Sequence, residues 1–495
     1  MFASNPQKVN KIRMIEAGNY SPYRKSFLNF FTYNKYIRNP STGLVTLATI
    51  AQKIVTDTLM YSESVSLIRY EDVYDADIIF FSVNTFNAVR SYEIADRLRE
   101  KSNAVLVMGG MHASLNYPEA IQHCDYVLTG DADESITELI HALRNGQEID
   151  FPGVVLWREE KVVFTGERRQ PENIDTIPDR NLVHDYARMA KYYYTLWPQV
   201  HASRGCPHNC SYCTVIRHFG RKIRKRTPQN IVEDIRQAIE FHKKPFIPRF
   251  KSCVWITDDN FPQDREWAIS VLKAIIESDI KYNFTVQARY EVGFDDEMLA
   301  LMKQAGFMEV SIGVEFLDDD SYKEFNKDCN YRDLVSAIRN IHAHGIGVRG
   351  LFMVGAEKDQ KGVGKKIAKF VRDNHIHGTL VQSLFFTPGT PFFEKNKHLL
   401  LHQDWDRYNG NVVHYPQNIK PYELQQEIII ASKKIYSPGR VLYALFRFKW
   451  MHMVSFIGEC FWQYHVRKDL RKELENLKKL DAKYSSAHSV NKTER

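Results

Sequence analysis

The sequence predicts an α/β protein in three parts: a doubly wound parallel sheet, a longer run of strand–helix units, and a helical end. Three observations carry this. Short, nearly continuous apolar runs such as Asp77-Ile-Ile-Phe-Phe-Ser-Val83 suit strands buried on both faces of a parallel sheet. Such runs alternate with amphipathic stretches at the rhythm of βαβ units. The alternation stops near residue 400, and the pattern beyond it is helical.

At 495 residues the chain has room for roughly three domains. Lys and Arg exceed Asp and Glu by 67 − 60 = 7, and much of that excess lies in Arg217 to Arg226 and the C-terminal segment. It is too small and too local to imply a nucleic-acid partner. Of the seven cysteines three are clustered, while Cys124, Cys253, Cys329 and Cys460 are scattered. That is no disulfide framework, so a cytoplasmic location is expected. The N-terminus shows no signal pattern, and no run of about 18 apolar residues exists to span a membrane.

The first domain is expected over 1–150. Lys11-Ile-Arg-Met-Ile-Glu-Ala17 reads as a strand, followed by a loop through Gly18, Asn19 and Pro22. A helix follows over Leu44 to Val55, with Leu44, Leu47, Ala48 and Ala51 on one face. Val65 to Ile68 and Asp77 to Val83 are the next strands, and Ser91 to Glu100 the next helix. Ala104 to Gly110 is a strand, Pro118 opens a helix, Tyr126 to Gly130 is a strand, and Asp133 and Ser135 open another helix. Three strand ends carry polar or glycine-rich loops: Ser82-Val-Asn84-Thr85, Gly109-Gly110-Met-His112 and Gly130-Asp-Ala-Asp-Glu134. They are either tight turns or places where backbone and helix N-termini approach a ligand.

Residues 151–194 read as a connector, with a hairpin of Val154 to Trp157 and Val162 to Thr165. The central domain is expected over 195–400. Its strands are Val200 to Ser203, Val254 to Thr257, Phe284 to Ala288, Val310 to Val314, Val348 to Val354 and Leu380 to Phe386, with helices between. Thr227-Pro228 starts the first helix; Asp295 and Gly306 bound a later one. Six units are too few to close an eight-stranded barrel.

Between the first two of these strands lies Ser203-Arg-Gly-Cys-Pro-His-Asn-Cys-Ser-Tyr-Cys213, which spaces Cys206, Cys210 and Cys213 as Cys-x3-Cys-x2-Cys. Cubane clusters normally take four thiolates, so three would leave one iron open for a ligand. A zinc knuckle drawing on His208 or His218 is the alternative, as are three merely buried thiols. The spacing, with Tyr212 before the last cysteine, closely resembles that of the radical S-adenosylmethionine (SAM) superfamily. The resemblance implies a [4Fe-4S] cluster whose open iron chelates SAM, cleaved by one electron to a 5′-deoxyadenosyl radical. It also implies a partial (β/α)6 TIM-like barrel. With the cysteines as the catalytic set, SAM would be contacted by Tyr212, by Asp258, Asp259 and Asn260 in place of the family's Gly-Gly-Glu, and by Arg289, Glu315, Arg349 and Gly355.

The first domain resembles the Rossmann/flavodoxin-like cobalamin-binding domain of class B radical SAM enzymes, and Thr387-Pro-Gly-Thr-Pro391 resembles a closing turn of that group. The loop that gives cobalamin mutases an axial His is absent; Glu16-Ala-Gly-Asn19 stands there. The resemblance implies cobalamin held by Asn19, Ser82, Asn84, Thr85, Gly109, Gly110, His112, Gly130 and Glu134, with His112 a loop or phosphate-tail contact. The implied activity is C-methylation of an unactivated carbon in a small molecule, supplied with electrons by a flavodoxin or ferredoxin. Oxidative cyclisation or rearrangement, with cobalamin auxiliary or absent, is the runner-up, and a non-catalytic zinc or electron-transfer protein the remote one.

Residues 401–495 are expected to be helical over Tyr422 to Lys434 and Arg440 to Lys479, with a disordered tail from Ser485. The stretch 440–465 is dense in aromatics. It reads as a helix packed on the barrel, or as an interfacial helix touching a membrane and serving a lipid-like or polycyclic substrate.

Overall fold

A computed structural model describes residues 8–18, 39–192, 197–243, 253–447 and 450–493. The first sheet has seven strands: β1 (Lys11–Glu16), β2 (Asp57–Ser62), β3 (Ile78–Ser82), β4 (Val105–Gly109), β5 (Tyr126–Leu128), β6 (Val154–Arg158) and β7 (Lys161–Phe164). Their order is β2-β1-β3-β4-β5-β6-β7. The first five are parallel and the last two antiparallel. The connections reverse direction between β1 and β3, and ligands of such sheets bind at that crevice. The hairpin expected in the connector forms, but as the edge of this sheet, which therefore runs past residue 150.

One strand lies elsewhere than expected. β2 pairs Thr58 with Ile12 and Ser62 with Glu16, whereas Val65 to Ile68 belongs to no strand. The amides of Val65 and Ser66 close a turn on the Ser62 carbonyl at 2.8 and 2.9 Å. Val65 is buried by packing rather than by pairing.

The end of β1 is anchored by a buried carboxylate. Glu16 accepts the Ser41 amide (3.0 Å) and the Ser62 hydroxyl (2.7 Å), fixing the start of the helix Thr42–Gln52. Burial, only partly offset by these donors, raises the Glu16 carboxyl to about 7.

After an edge strand β8 (Gln199–Val200) comes a small antiparallel pair, β9 (Ser203–Arg204) with β10 (Arg224–Lys225). Then follow β11 (Cys253–Ile256), β12 (Asn283–Ala288), β13 (Phe307–Glu315), β14 (Gly347–Val354) and β15 (Gly378–Ser383). β8 and β11 to β15 form an open, fully parallel sheet in the order β15-β14-β13-β12-β11-β8. Its core joins Val254, Phe284, Val310 and Val348 to the helix residues Ile235, Leu299 and Ile338. Asp295 caps its helix by accepting the Met298 amide, and Gly306 ends that helix with φ 98°.

The C-terminal part contributes the helices Pro421–Ile435, Pro438–Arg447 and Trp450–Thr493. Leu470, Leu474 and Leu477 of the last pack into the same core as Leu424 and Ile428. Its backbone is helical to Thr493, through the stretch expected to be a disordered tail. Once a helix is nucleated, each added residue brings its own backbone hydrogen bond.

Where this last helix crosses the amino ends of β13 and β14, Arg349 donates to Glu309 (2.8 Å) and pairs with Glu459. Glu459 also accepts the Tyr436 hydroxyl. The group is partly buried, Arg349 being 26% exposed, and removing one member leaves the others unpaired, so Arg349→Met should cost about 2–3 kcal/mol in urea unfolding. Adding Glu459→Gln should recover part of it; no loss in the single variant would show the group contributes nothing. Glu16 gives a pH signature. Its folded value is about 7 against an ordinary 4.5, so between these values the folded chain holds a proton that the unfolded chain releases. Stability from this group therefore falls as pH rises through that window. Glu16→Gln should lose less melting temperature than the wild type from about pH 5 to about pH 7.5; equal losses would exclude Glu16 as the source.

Candidate active site: a cysteine loop beside an inter-sheet cleft

The cysteine loop leaves β9 through Gly205, whose φ of 98° and closeness to the Lys222 carbonyl leave no room for a Cβ. The Ser211 amide donates to the Phe325 carbonyl (3.0 Å), and the Phe392 amide to the Ser211 carbonyl (3.0 Å). The Asn326 amide group donates to the Asn209 carbonyl (2.8 Å). Cys206, Cys210 and Cys213 are thus presented half-buried from one braced loop. Burial raises the Cys206 thiol and lifts Cys213 to about 12. Thiolates at that depth need a strongly charged metal to hold them, which is the donor set of an iron–sulfur cluster.

Neither histidine completes a zinc site. The His208 Nε2 lies 2.9 Å from Gln263 Oε1, and His218 is buried with its ring edge-on to Phe219, centroids 4.7 Å apart. Among the described residues no three His, Cys, Asp or Glu side chains gather around one ion position. Zinc needs its ligands around a single centre, whereas a cubane spreads them over separate irons.

The strand ends sort the expected SAM contacts. Asp259, after β11, faces the cleft described below; burial, reinforced by Asp258, raises its carboxyl to about 7. Asp258 turns the other way, accepting the Ala202 amide (2.7 Å) and the Ser203 hydroxyl (2.5 Å), and is buried. It braces the strand before the cysteines and is not placed to receive an ammonium. Asn260 is also turned inward: its Oδ1 accepts the Arg289 amide at 3.0 Å and ties the ends of β11 and β12 together. Arg289 pairs with Glu291 at 2.7 Å and donates to the Asp328 carbonyl. The Tyr212 ring is edge-on to Phe325, centroids 5.8 Å apart.

Glu315 ends β13 in the left-handed region, φ 62°, a strain that a non-glycine residue keeps only where its surroundings impose it. Lys327 lies 3.4 Å from it and donates to the Gly313 carbonyl at 2.7 Å. Gly355, φ 113°, ends β14 against the His414 ring, where a Cβ would approach to 2.9 Å. Arg349 is the correction among these: it stands near the amino end of β14, in the Glu309–Glu459 group, at the opposite end of the strand from the cysteines.

A cleft of about 340 Å³ lies between the carboxyl ends of the two sheets. The first sheet lines it with Ser82, Asn84, Gly109, Gly110 and Gly130, the second with Thr257 and Asp259. Gly110 has φ 94°, and a Cβ there would meet the Val83 carbonyl oxygen at 2.8 Å, so bare backbone forms that wall. A flat, amide-bearing macrocycle fits a wall of this kind, and the residues present are compatible with cobalamin. Three expected contacts are not in the lining. His112 is fully buried, with Nδ1 3.2 Å from the Thr85 hydroxyl and Nε2 3.4 Å from Glu119. Thr85 is thereby turned inward as well. Glu119 accepts the Trp405 indole N–H at 2.9 Å, so these residues stitch the C-terminal segment to the first sheet. Glu134 pairs with Arg168 at 3.1 Å. Asn19 lies outside the described residues.

Sequence reasoning missed a buried ionic group on the cleft wall. Arg204 bridges Asp131 and Asp133, both at 2.6 Å, and Arg224 reaches Asp131 at 2.6 Å. Burial opposes the Asp131 charge, but the two arginines prevail and hold it well below the usual carboxylate range. Burial, opposed by Arg204 and helped by Asp131, raises Asp133 above the usual carboxylate range. Arg204, two residues before Cys206, was the available signal. The reading also missed Leu44 and Leu47, which line the cleft from their helix.

Known proteins resemble this chain in family, sequence and fold. Residues 200–363 match the model of the radical SAM superfamily. The chain is 26% identical over 404 residues to bacteriochlorophyllide d C-12(1)-methyltransferase of Chlorobaculum tepidum, covering 81% of this chain and 83% of that one. It is 25% identical over 349 residues to the hopanoid C-2 methylase of Rhodopseudomonas palustris, covering 69% and 62%. The fold is shared with the cobalamin-dependent SAM radical enzyme OxsB, solved with aqua-cobalamin and SAM, at a TM-score of 0.66, 13% identity and coverage of 99% and 82%. A three-cysteine loop braced at the carboxyl end of an open parallel sheet, in the segment that the family model matches, makes residues 200–363 a radical SAM domain.

Proposed function

We propose that this chain is a radical SAM enzyme that methylates an unactivated carbon, using a [4Fe-4S] cluster, SAM and cobalamin. One observation carries the reading: the cleft at the end of the first sheet opens on Asp259, which closes the strand beside the cysteine loop. We read 195–400 as a partial (β/α)6 barrel and the first sheet as a cobalamin-binding domain. The cofactors, when bound, supply one-electron cleavage of a sulfonium, hydrogen removal from carbon and a methyl group.

The protein supplies geometry. Cys206, Cys210 and Cys213 hold the cluster, and the ionised Asp259 receives the SAM ammonium in a charge-assisted hydrogen bond. Arg289, beside the cysteine loop, would attract the SAM carboxylate, Glu315 would take ribose hydroxyls, and the Gly355 backbone would allow the adenine a close approach. Gly109, Gly110 and Gly130 give a corrin close access to backbone, with Ser82 and Asn84 as polar contacts. The buried Asp131–Arg204 group closes one wall against water. The named activities of the relatives act on a tetrapyrrole and a hopanoid, which supports a polycyclic or lipid-like substrate. A flavodoxin or ferredoxin supplies electrons, and residues 440–465 make peripheral contact with a membrane. No helix among the described residues is long and apolar enough to cross one.

Reconstituted anaerobically, the protein should show iron–sulfur absorbance and release 5′-deoxyadenosine from SAM with dithionite, and Cys210→Ala should abolish both. From cells supplied with cobalamin it should carry stoichiometric corrin; an enzyme that cleaves SAM but holds none would move the reading to oxidative cyclisation or rearrangement. Asp259→Asn should weaken SAM binding about 10-fold or more with iron content unchanged. SAM affinity of the wild type should rise with pH through about 7, as the carboxyl ionises, and the variant should lose that dependence. A flat profile in the wild type would remove Asp259 from this role.

A further inference from the structure

The helices Pro438–Arg447 and Trp450–Thr493 carry a cluster of large apolar side chains on the surface. Leu442 is 58%, Leu445 49% and Phe446 80% exposed, and Ile457, Phe461 and Tyr464 follow at 41%, 49% and 51%. Positions 442, 445 and 446 share one helix face, as do 457, 461 and 464. Scattered exposed apolar residues are ordinary, but six within 23 positions form a patch, and such patches mark a partner.

Charge decides which partner. Among the described side chains Lys433, Lys434 and Lys468 are exposed here, while Arg440 is buried and donates to the Ile376 carbonyl and Arg467 donates to the Ser432 carbonyl; the acidic residues of the stretch are Glu459 and, just after Lys468, Asp469. Glu459 is committed to Arg349. Two copies of so basic a face would repel each other, which disfavours self-association. An electron donor is disfavoured by place. Tyr443 lies by His375 (3.0 Å) and His452 by the Met308 carbonyl (3.0 Å), which sets these helices at the amino ends of β13 to β15. The cysteine loop is at the carboxyl ends, about 26 Å away along the eight-residue β14.

Building on the peripheral contact named above, and on nothing in the methyl transfer, we propose that this face docks on an anionic lipid surface. Leu442, Leu445, Phe446, Ile457 and Phe461 enter the headgroup region while Lys433, Lys434 and Lys468 meet lipid phosphates. The interaction holds the enzyme at the bilayer by the end of its barrel opposite the cluster.

The test is flotation of the full-length reconstituted protein with phosphatidylcholine vesicles, with and without phosphatidylglycerol. Wild type should float with the anionic vesicles, less so at high salt, and Leu442→Glu/Phe446→Glu should reduce the bound fraction about tenfold. Both substituted positions are exposed, so melting temperature and SAM cleavage should be unchanged. Failure to float, with SAM cleavage intact, overturns the docking without touching the enzymatic reading. Equal flotation of wild type and variant overturns it too. So does a dimer in light scattering that the variant dissolves, which would assign the face to a second copy.

Discussion

The site is held in one frame by Arg204. Its guanidinium leaves β9 two residues before Cys206 and is shared between Asp131 and Asp133, which belong to the loop after β5. The ends of two separate sheets are therefore joined by short, buried, charge-assisted hydrogen bonds. Buried charges are costly to desolvate, and a group like this is retained where geometry matters more than net stability. From the other side Asp258 grips the Ala202 amide and Ser203 hydroxyl. The strand feeding the cysteine loop is thus fixed by both sheets before any cofactor arrives.

The C-terminal segment adds a second tie that bypasses the cysteines. Trp405 donates to Glu119, in the short helix Tyr117–Ala120 between β4 and β5, while His414 presses on Gly355 at the end of β14. These contacts reach the first domain and the end of β14, so the segment ties the two together. His112, a ligand by its place in a glycine-rich loop, is used for this tie instead. A loop that follows a strand can turn its side chains to the crevice or to the neighbouring helix, and the choice depends on what packs against it.

The alternation of strands and helices, the six strand–helix units and the cysteine loop were legible in the sequence, because each rests on periodicity or on spacing along the chain. Helix bounds set by Thr227-Pro228, Asp295 and Gly306 were legible for the same reason. What was not legible depends on partners distant in sequence. Arg204 meets Asp131 across 73 positions, and Glu119 meets Trp405 across 286. β2 was displaced because apolar content alone does not separate a paired strand from a packed turn at Val65. Arg349 is a different lesson: it stands near the start of its own strand, so the rule that strand ends carry function already argued against it.

Asp258 and Asp259 show how one dipeptide serves structure and site together. Both lie just past the end of β11, where the chain turns, and their side chains alternate: the Asp258 carboxyl is directed into the protein and the Asp259 carboxyl toward the cleft. That alternation brings the cleft and the cysteine loop to a common wall, and it requires a short loop after β11. The arrangement also sets a direction for the molecule. The reactive end opens where the strands finish, whereas the basic apolar helices lie where the strands begin. An enzyme held on a bilayer by those helices would turn its cysteine loop toward the aqueous side.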